Sequence, residues 1–258
     1  MRVIVTRPAA QAASWVAQLQ GRGIAAVALP LIGIAATVDP AAVRDAWAAL
    51  AGKRLVFFVS PNAVECFFAA RPEHALWPAH VAAASPGPGT SEVLRRFGVP
   101  ASLIVEPPMD APQFDSESLW GVLQARSWTD TAVLVVRGDG GRDWLADRLR
   151  RSGAQVGFVA AYRRVAAAID GPQREVLRAA LAAPEQHLWF FSSSEAIDHL
   201  CDACEVREEK LPPWARAQAL ATHPRIAERA QRAGFGRVLA SRPTLDAVVA
   251  CIQSMHRE

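Results

Sequence analysis

The chain has 258 residues and a mass of 27.8 kDa, which is enough for one large domain or two small ones. Hydrophobic residues make up 51% and charged residues 21%, an ordinary globular composition that can bury a sizeable core. A net charge of +3 lacks the basic excess of a dedicated nucleic-acid binder, and no apolar run approaches the roughly 18 residues that a membrane span needs.

In chain order, short apolar runs alternate with stretches of helical period. The start, Met1 to Pro8, reads as a strand and lacks the apolar core of a signal peptide. Strands are expected at Val3–Thr6, Ala25–Leu29, Leu55–Val59, Val81–Ala84, Leu103–Val105, Ala132–Val136, Val156–Ala160, Leu188–Phe191, Gln218–Ala221 and Arg237–Ala240. Helices are expected at Ala10–Gln20, Ala41–Leu50, Thr90–Arg96, Arg142–Arg151, Gln173–Ala182 and Arg225–Ala233. Continuously apolar strands alternating with helices indicate parallel sheets covered on both faces, an α/β fold. Ten strands fit two five-stranded units. Glu106–Asp115 and Leu211-Pro-Pro-Trp read as breaks, the first an exposed loop.

An internal repeat supports two units. Shifted by 130, Val3, Val5, Arg7, Leu19 and Gly23 fall on Val133, Val135, Arg137, Leu149 and Gly153. Shifted by 133, Leu55, Phe57, Phe58, Ser60 and Ala63 fall on Leu188, Phe190, Phe191, Ser193 and Ala196. The two offsets agree with each other and with half the chain length, which points to duplication.

In open α/β sheets ligands bind beyond the carboxyl ends of the strands. The loops there are Thr6-Arg7-Pro8 and Arg137-Gly138-Asp-Gly-Gly-Arg142; Ser60-Pro61-Asn62 and Ser192-Ser193-Ser194; Ser85-Pro-Gly87-Pro-Gly-Thr90 and Thr222-His223-Pro224-Arg225. They combine helix N-termini, small hydroxyls, glycines and arginines, all suited to anions. Plainer roles are also open. Ser60, Ser193 and Thr90 suit N-caps, Arg7 and Arg137 suit ion pairs, and the glycines suit turns. The sequence Gly138–Arg142 is neither a dinucleotide fingerprint nor a P-loop, and no GxSxG motif or paired acid–base carboxylates stand out. Among 28 basic residues only Lys53 and Lys210 are lysines, leaving 26 arginines, an excess ascribed mainly to GC-rich coding. Four sparse cysteines fit a reducing cytoplasm. Cys201-Asp-Ala-Cys204 lies in an expected helix without a second pair, and the six histidines are scattered, so no metal is expected.

Taken together, these segments resemble the uroporphyrinogen-III synthase family over almost the whole chain. The likeness rests on Val5-Thr6-Arg7-Pro8, Phe58-Val-Ser60-Pro61-Asn62-Ala-Val64, Gly87-Pro-Gly-Thr90, Val136-Arg137-Gly138 with Gly141-Arg142, Val159-Ala-Ala-Tyr162, and Phe191-Ser-Ser193-Ser194-Glu-Ala-Ile197. Two departures stand out: Ser-Ser-Ser-Glu replaces the commoner Ser-Pro-Ser, and Ile226 stands where the family often has threonine. The resemblance implies two flavodoxin-like parallel-sheet domains joined by two extended linker strands. One domain would hold residues 1–31 with 170–258, the other 38–160, with linkers at 32–37 and 161–169 and hinge motion about them. It further implies dehydration and cyclisation of hydroxymethylbilane to uroporphyrinogen III with inversion of ring D, with no cofactor. An azafulvene electrophile forms, and attack by a pyrrole carbon gives a spiro intermediate that fragments and recloses. The implied partner is a tetrapyrrole bearing eight carboxylates, bound in a cleft, with no nucleic acid, no membrane and a monomeric protein in the cytoplasm. The implied binding residues are Arg7, Ser60, Pro61, Asn62, Gly87, Thr90, Arg137, Gly138, Arg142, Ser193, Ser194 and His223. Tyr162, the lone tyrosine, matches the family's linker tyrosine and is expected to assist loss of the hydroxyl. A non-catalytic two-lobed module for an anionic small molecule, and a nucleotide-dependent enzyme using Gly138–Gly141, are the competing readings.

Overall fold

A computed structural model describes residues 1–204 and 214–255. Of the expected break at Leu211-Pro-Pro-Trp, only Trp214 is among them; residues 211–213 lie outside the described part.

The chain forms two compact units, one of residues 1–33 with 165–258 and one of residues 34–164. The first is built on strands β1 (Arg2–Val5), β2 (Ala26–Ala28), β9 (His187–Phe191), β10 (Gln218–Ala221) and β11 (Arg237–Ala240), in the order β11-β10-β9-β1-β2. The second sheet has the order β3-β8-β7-β4-β5-β6. Its strands are β3 (Ile32–Ala36), β4 (Leu55–Phe58), β5 (Ala82–Ala84), β6 (Ile104–Val105), β7 (Ala132–Gly138) and β8 (Gln155–Ala166). The pairings β1–β2, β1–β9, β9–β10, β10–β11, β4–β5, β4–β7, β5–β6 and β7–β8 are all parallel.

All ten expected strands form, but the sheets hold five and six strands rather than five each. The extra strand is β3, which falls in the segment expected as an extended linker strand and lies beside β8 at the sheet edge. The isolated apolar run Ile32–Ala36 gives no sign of a partner until β8, which continues through Tyr162 to Ala166, extends along it.

Central strands are buried on both faces because helices cover both. All four residues of β4 and all five of β9 are buried. One face of the second sheet packs Trp47, Phe58, Phe67 and Phe68; the other packs Leu119, Trp128, Leu145 and Leu149. Burying each such side chain contributes roughly 1.5–3 kcal/mol. In the first unit, Val3, Leu19, Phe190 and Val249 form one core, while Trp189, Phe191, Trp214 and Phe235 form an aromatic cluster.

Helices α1 (Ala9–Gln20), α3 (Pro61–Ala69), α4 (Pro88–Arg96), α6 (Trp144–Arg151), α8 (Ser194–Ala203), α9 (Pro224–Arg232) and α10 (Leu245–Met255) each follow a strand end. Helices α2 (Pro40–Ala48), α5 (Ser116–Leu123) and α7 (Gly171–Ala182) complete the covering layers. Proline opens α2, α3, α4 and α9, where a missing N–H costs nothing and φ is already helical. Gly23 and Gly153 end α1 and α6 with positive φ, and the next residue donates back to Leu19 and Leu149 respectively. The segment expected as an exposed loop at Glu106–Asp115 is not uniformly exposed. Ala111 is buried, and Asp115 caps α5 by accepting from Ser118 N–H at 2.8 Å.

The duplication is visible in the hydrogen-bonding register. Val3 lies opposite Leu188 and Ala26; the repeat-related Val133 lies opposite Leu55 and Val156. Each sheet therefore joins the first two strands of one repeat to the last three of the other.

Candidate functional site

In each sheet the strand order reverses at one place. In the first unit it lies between β1 and β9, in the second between β7 and β4. Crevices for ligands form at the carboxyl ends of such strand pairs. The repeat sends Arg7 and Ser193 to the first of these places, and Arg137 and Ser60 to the second.

In the first unit the Thr6 hydroxyl donates to Phe190 C=O at 2.8 Å and ties the two strand ends together. Arg7 follows. Its guanidinium lies over the Trp15 ring at 5.0 Å and the Phe190 ring at 5.8 Å, and Nη1 donates to Gln11 Oε1 at 3.3 Å. No carboxylate among the described residues pairs with it, and its enclosed Nε has no hydrogen-bond partner. Burial pushes its pKa down to about 10, which still leaves it charged at neutral pH. The two aromatic faces offset part of the desolvation cost. Ser193 is the N-cap residue of α8, but its hydroxyl makes no capping bond; Ser194 is the first helical residue. His223 caps α9, its Nδ1 accepting from Arg225 N–H at 3.1 Å.

In the second unit Ser60 caps α3, its Oγ accepting from Ala63 N–H at 3.2 Å. Pro61 and Asn62 form the first turn. Ser60 Oγ also lies 3.1 Å from the Tyr162 hydroxyl, and either atom can be the donor. Tyr162 is only 2% exposed and belongs to the core of its unit. Gly138 lies opposite Tyr162 across the β7–β8 pair, and a Cβ there would come within 3.1 Å of the phenol ring. Glycine at 138 thus serves the tyrosine. The following residues 139–143 are all exposed, so they form no enclosed phosphate cradle.

The two candidate arginines of this unit are already paired. Arg137 makes a hydrogen-bonded ion pair with Asp143 and lies 4.4 Å from the centre of the Phe158 ring. Arg142 grips Glu117 with two bonds of 2.6 and 3.2 Å. Gly87, not Thr90, is the N-cap residue of α4. A Cβ on Gly87 would fall 2.7 Å from Phe114 Cβ, so glycine is required there by close packing. Thr90 is buried inside the first turn, and its counterpart Ile226 is buried as well. That position is filled for packing in both units, which accounts for the aliphatic replacement.

Several contributors gave no sequence signal of their own. Asp143, Glu117 and Phe158 become visible only as partners of the arginines. Trp15 could have been found from helical periodicity, one turn beyond Gln11. The Ser85 hydroxyl lies 2.7 Å from that of Ser91 and donates to Gly87 C=O, holding the turn before α4. Burial raises the thiol pKa values of both Cys201 and Cys204, the latter to about 11, so neither is poised as a thiolate. Among the described residues no three His, Cys, Asp or Glu side chains converge as metal ligands, and no helix is long and apolar enough to cross a membrane.

A family model described as Uroporphyrinogen-III synthase HemD matches residues 13–250. The uroporphyrinogen-III synthase of Escherichia coli K12 is 29% identical over 230 residues, covering 84% of this chain and 91% of that protein. That of Salmonella typhimurium LT2 is 28% identical over 174 residues, covering 67% and 69%. Among solved structures, a variant uroporphyrinogen III synthase of Thermus thermophilus superposes with a TM-score of 0.59 at 17% identity, covering both chains fully. The Helicobacter pylori 26695 enzyme superposes with a TM-score of 0.58 at 15% identity, covering 99% of this chain and all of that one. These two share the fold: α/β, with parallel sheets in two domains.

Proposed function

We propose, from the premise that the chain belongs to the uroporphyrinogen-III synthase family, a division of labour between its two strand-end sites. The chain is an enzyme of tetrapyrrole biosynthesis, a lyase that converts hydroxymethylbilane to uroporphyrinogen III. In our reading the first unit holds substrate carboxylates through Arg7, the N-terminal end of α8 at Ser193 and Ser194, and the α9 cap at His223. The second unit acts on the departing hydroxyl through Tyr162, with Ser60, Pro61 and Asn62 at the α3 N-terminus beside it. Gly87, Thr90 and Gly138 shape that site, and Arg137 and Arg142 are secondary contacts already neutralised by Asp143 and Glu117.

The observation that carries the binding half is Arg7, a charged guanidinium at a strand reversal with no carboxylate partner among the described residues. A ligand carboxylate would complete its hydrogen bonding and offset the burial of its charge. Closure must also be steered toward the type III isomer. A hundredfold preference requires only about 2.7 kcal/mol of differential transition-state stabilisation, the scale of a few hydrogen bonds to charged groups. We read the protein as a cytoplasmic monomer; the four unbridged cysteines accord with the reducing compartment of that reading.

The test is to incubate the protein with hydroxymethylbilane and separate the oxidised isomers by chromatography. Type III product is expected, whereas type I alone at the spontaneous rate overturns the catalytic reading in favour of a binding module. Tyr162→Phe is expected to lower turnover about a hundredfold, the lower range for a positioned proton donor. Unchanged turnover would remove Tyr162 from the catalytic residues.

A further inference from the structure

The geometry points to Ser60, rather than Tyr162, as the group that touches the departing hydroxyl, with Tyr162 as a buried proton donor behind it. This rests on the reading that Tyr162 serves water loss. Counting protons leads to this order. A serine hydroxyl has one hydrogen to donate and two lone pairs to accept with. One lone pair of Ser60 Oγ takes the Ala63 N–H at 3.2 Å. Tyr162 Oη lies 3.1 Å away. Of the two hydroxyls the phenol is the stronger acid, so Tyr162 donates into the second lone pair. Ser60 then has its own hydrogen left for a third partner.

Burial gives the same order. Tyr162 is 2% exposed, while Ser60 is only partly buried, at the strand end where ligands meet this sheet. Gly138 fixes the ring from beneath. Ser60 is fixed by its place ahead of Pro61 at the start of a nine-residue helix. Two hydrogen bonds donated into Ser60 Oγ, one from the amino-terminal turn of α3, polarise its O–H and make it a stronger donor.

The step balances. The C–O bond of the hydroxymethyl group breaks, and its electron pair leaves with the oxygen. That oxygen takes the Ser60 proton and departs as water, Ser60 takes the Tyr162 proton, and the substrate is left as the cationic azafulvene. The proton returns to Tyr162 through Ser60 when the pyrrole carbon that closes the ring loses its hydrogen.

Because Tyr162 is the only tyrosine, its ring modes can be read in the whole protein. The intensity ratio of the tyrosine Raman doublet distinguishes a phenol that donates from one that accepts, with Tyr162→Phe as the blank. Wild-type protein is expected to show a donor, and Ser60→Ala to alter the ratio. Ser60→Ala and Ser60→Gly, the latter the milder change at an N-cap, should each lower kcat about a hundredfold with little change in KM. Ser60→Thr, which keeps the hydroxyl, should restore most of it. A wild-type doublet of acceptor type overturns the relay, since Ser60 would then spend its hydrogen on Tyr162. Full turnover in a folded Ser60→Gly, or no rescue by a folded Ser60→Thr, overturns it as well. Loss of activity in Tyr162→Phe alongside an acceptor doublet would retain Tyr162 and remove only the relay. Unchanged activity in Tyr162→Phe would instead remove the reading on which the relay rests.

Discussion

At repeat-related strand ends the two units hold the same side chains in different company. Among the described residues, Arg7 in the first unit lies against Trp15 and Phe190 without a carboxylate, whereas Arg137 in the second is paired with Asp143. The shift of 130 puts Ala13 where the second unit has Asp143. The phenol shows the reverse asymmetry. Tyr162 and Gly138 correspond to Ile32 and Pro8, so among the described residues the first unit has a cation without a carboxylate partner and no phenol, and the second has a phenol and two neutralised cations. Duplication thus fixed where the candidate side chains stand, and neighbouring residues decided which partners each copy has.

The largest effect expected from breaking this asymmetry is at Arg7. Arg7→Met should raise KM for hydroxymethylbilane about tenfold to a hundredfold, the loss of a hydrogen bond between charged groups. Arg137→Met should raise it no more than about threefold, because its charge is already matched, as is usual for such partly exposed pairs. Steady-state kinetics of the two variants side by side check the contrast, and equal losses would refute it. Stability should move differently. Arg7 has a folded pKa lowered to about 10. Below that pH both folded and unfolded states hold the proton, and the fold carries the whole burial cost. Above it the folded state loses its proton first, and stability recovers toward the ordinary guanidinium value. At neutral pH Arg7→Met therefore removes a burial cost along with two cation–ring contacts, and the melting temperature should not fall.

Of intermediate size is the phenol site. Gly138→Ala pushes a methyl to within 3.1 Å of the Tyr162 ring and should cost about 1–3 kcal/mol in denaturant unfolding, together with a drop in kcat. No loss in either would mean that the ring is not held as described. The smallest effect is the sharpest test of the comparison itself. Gln11 Oε1 already accepts from Arg7, so Gln11→Glu gives the first unit a carboxylate at that contact with little change of shape. It should raise KM severalfold while leaving kcat and thermal unfolding nearly unchanged, which supplying the Arg7 counter-ion from within the chain would produce.

Much of the fold was legible beforehand because parallel strands buried on both faces must be continuously apolar. Leu55–Phe58 and His187–Phe191 read that way from residue types alone. The repeat offsets of 130 and 133 even carry the register, since Val3 opposite Leu188 reappears as Val133 opposite Leu55. Strand β3 was less legible, since pairing at a sheet edge depends on a strand more than a hundred residues away. At the site, residue numbers were legible and roles were not. Ser60, Arg7 and Tyr162 stand out in the sequence, yet Thr90 is packed in a helix and Arg142 is held by Glu117.

The sequence by itself determined the α/β class, the duplicated strand–helix units, and the family to which the chain belongs, because periodicity, repeat and motif order are properties of one dimension. Only the tertiary structure decided which arginine has a counter-ion and where the phenol's proton can go. Both depend on distances of about 3 Å between residues as far apart as Ser60 and Tyr162, and local residue preference does not encode such distances.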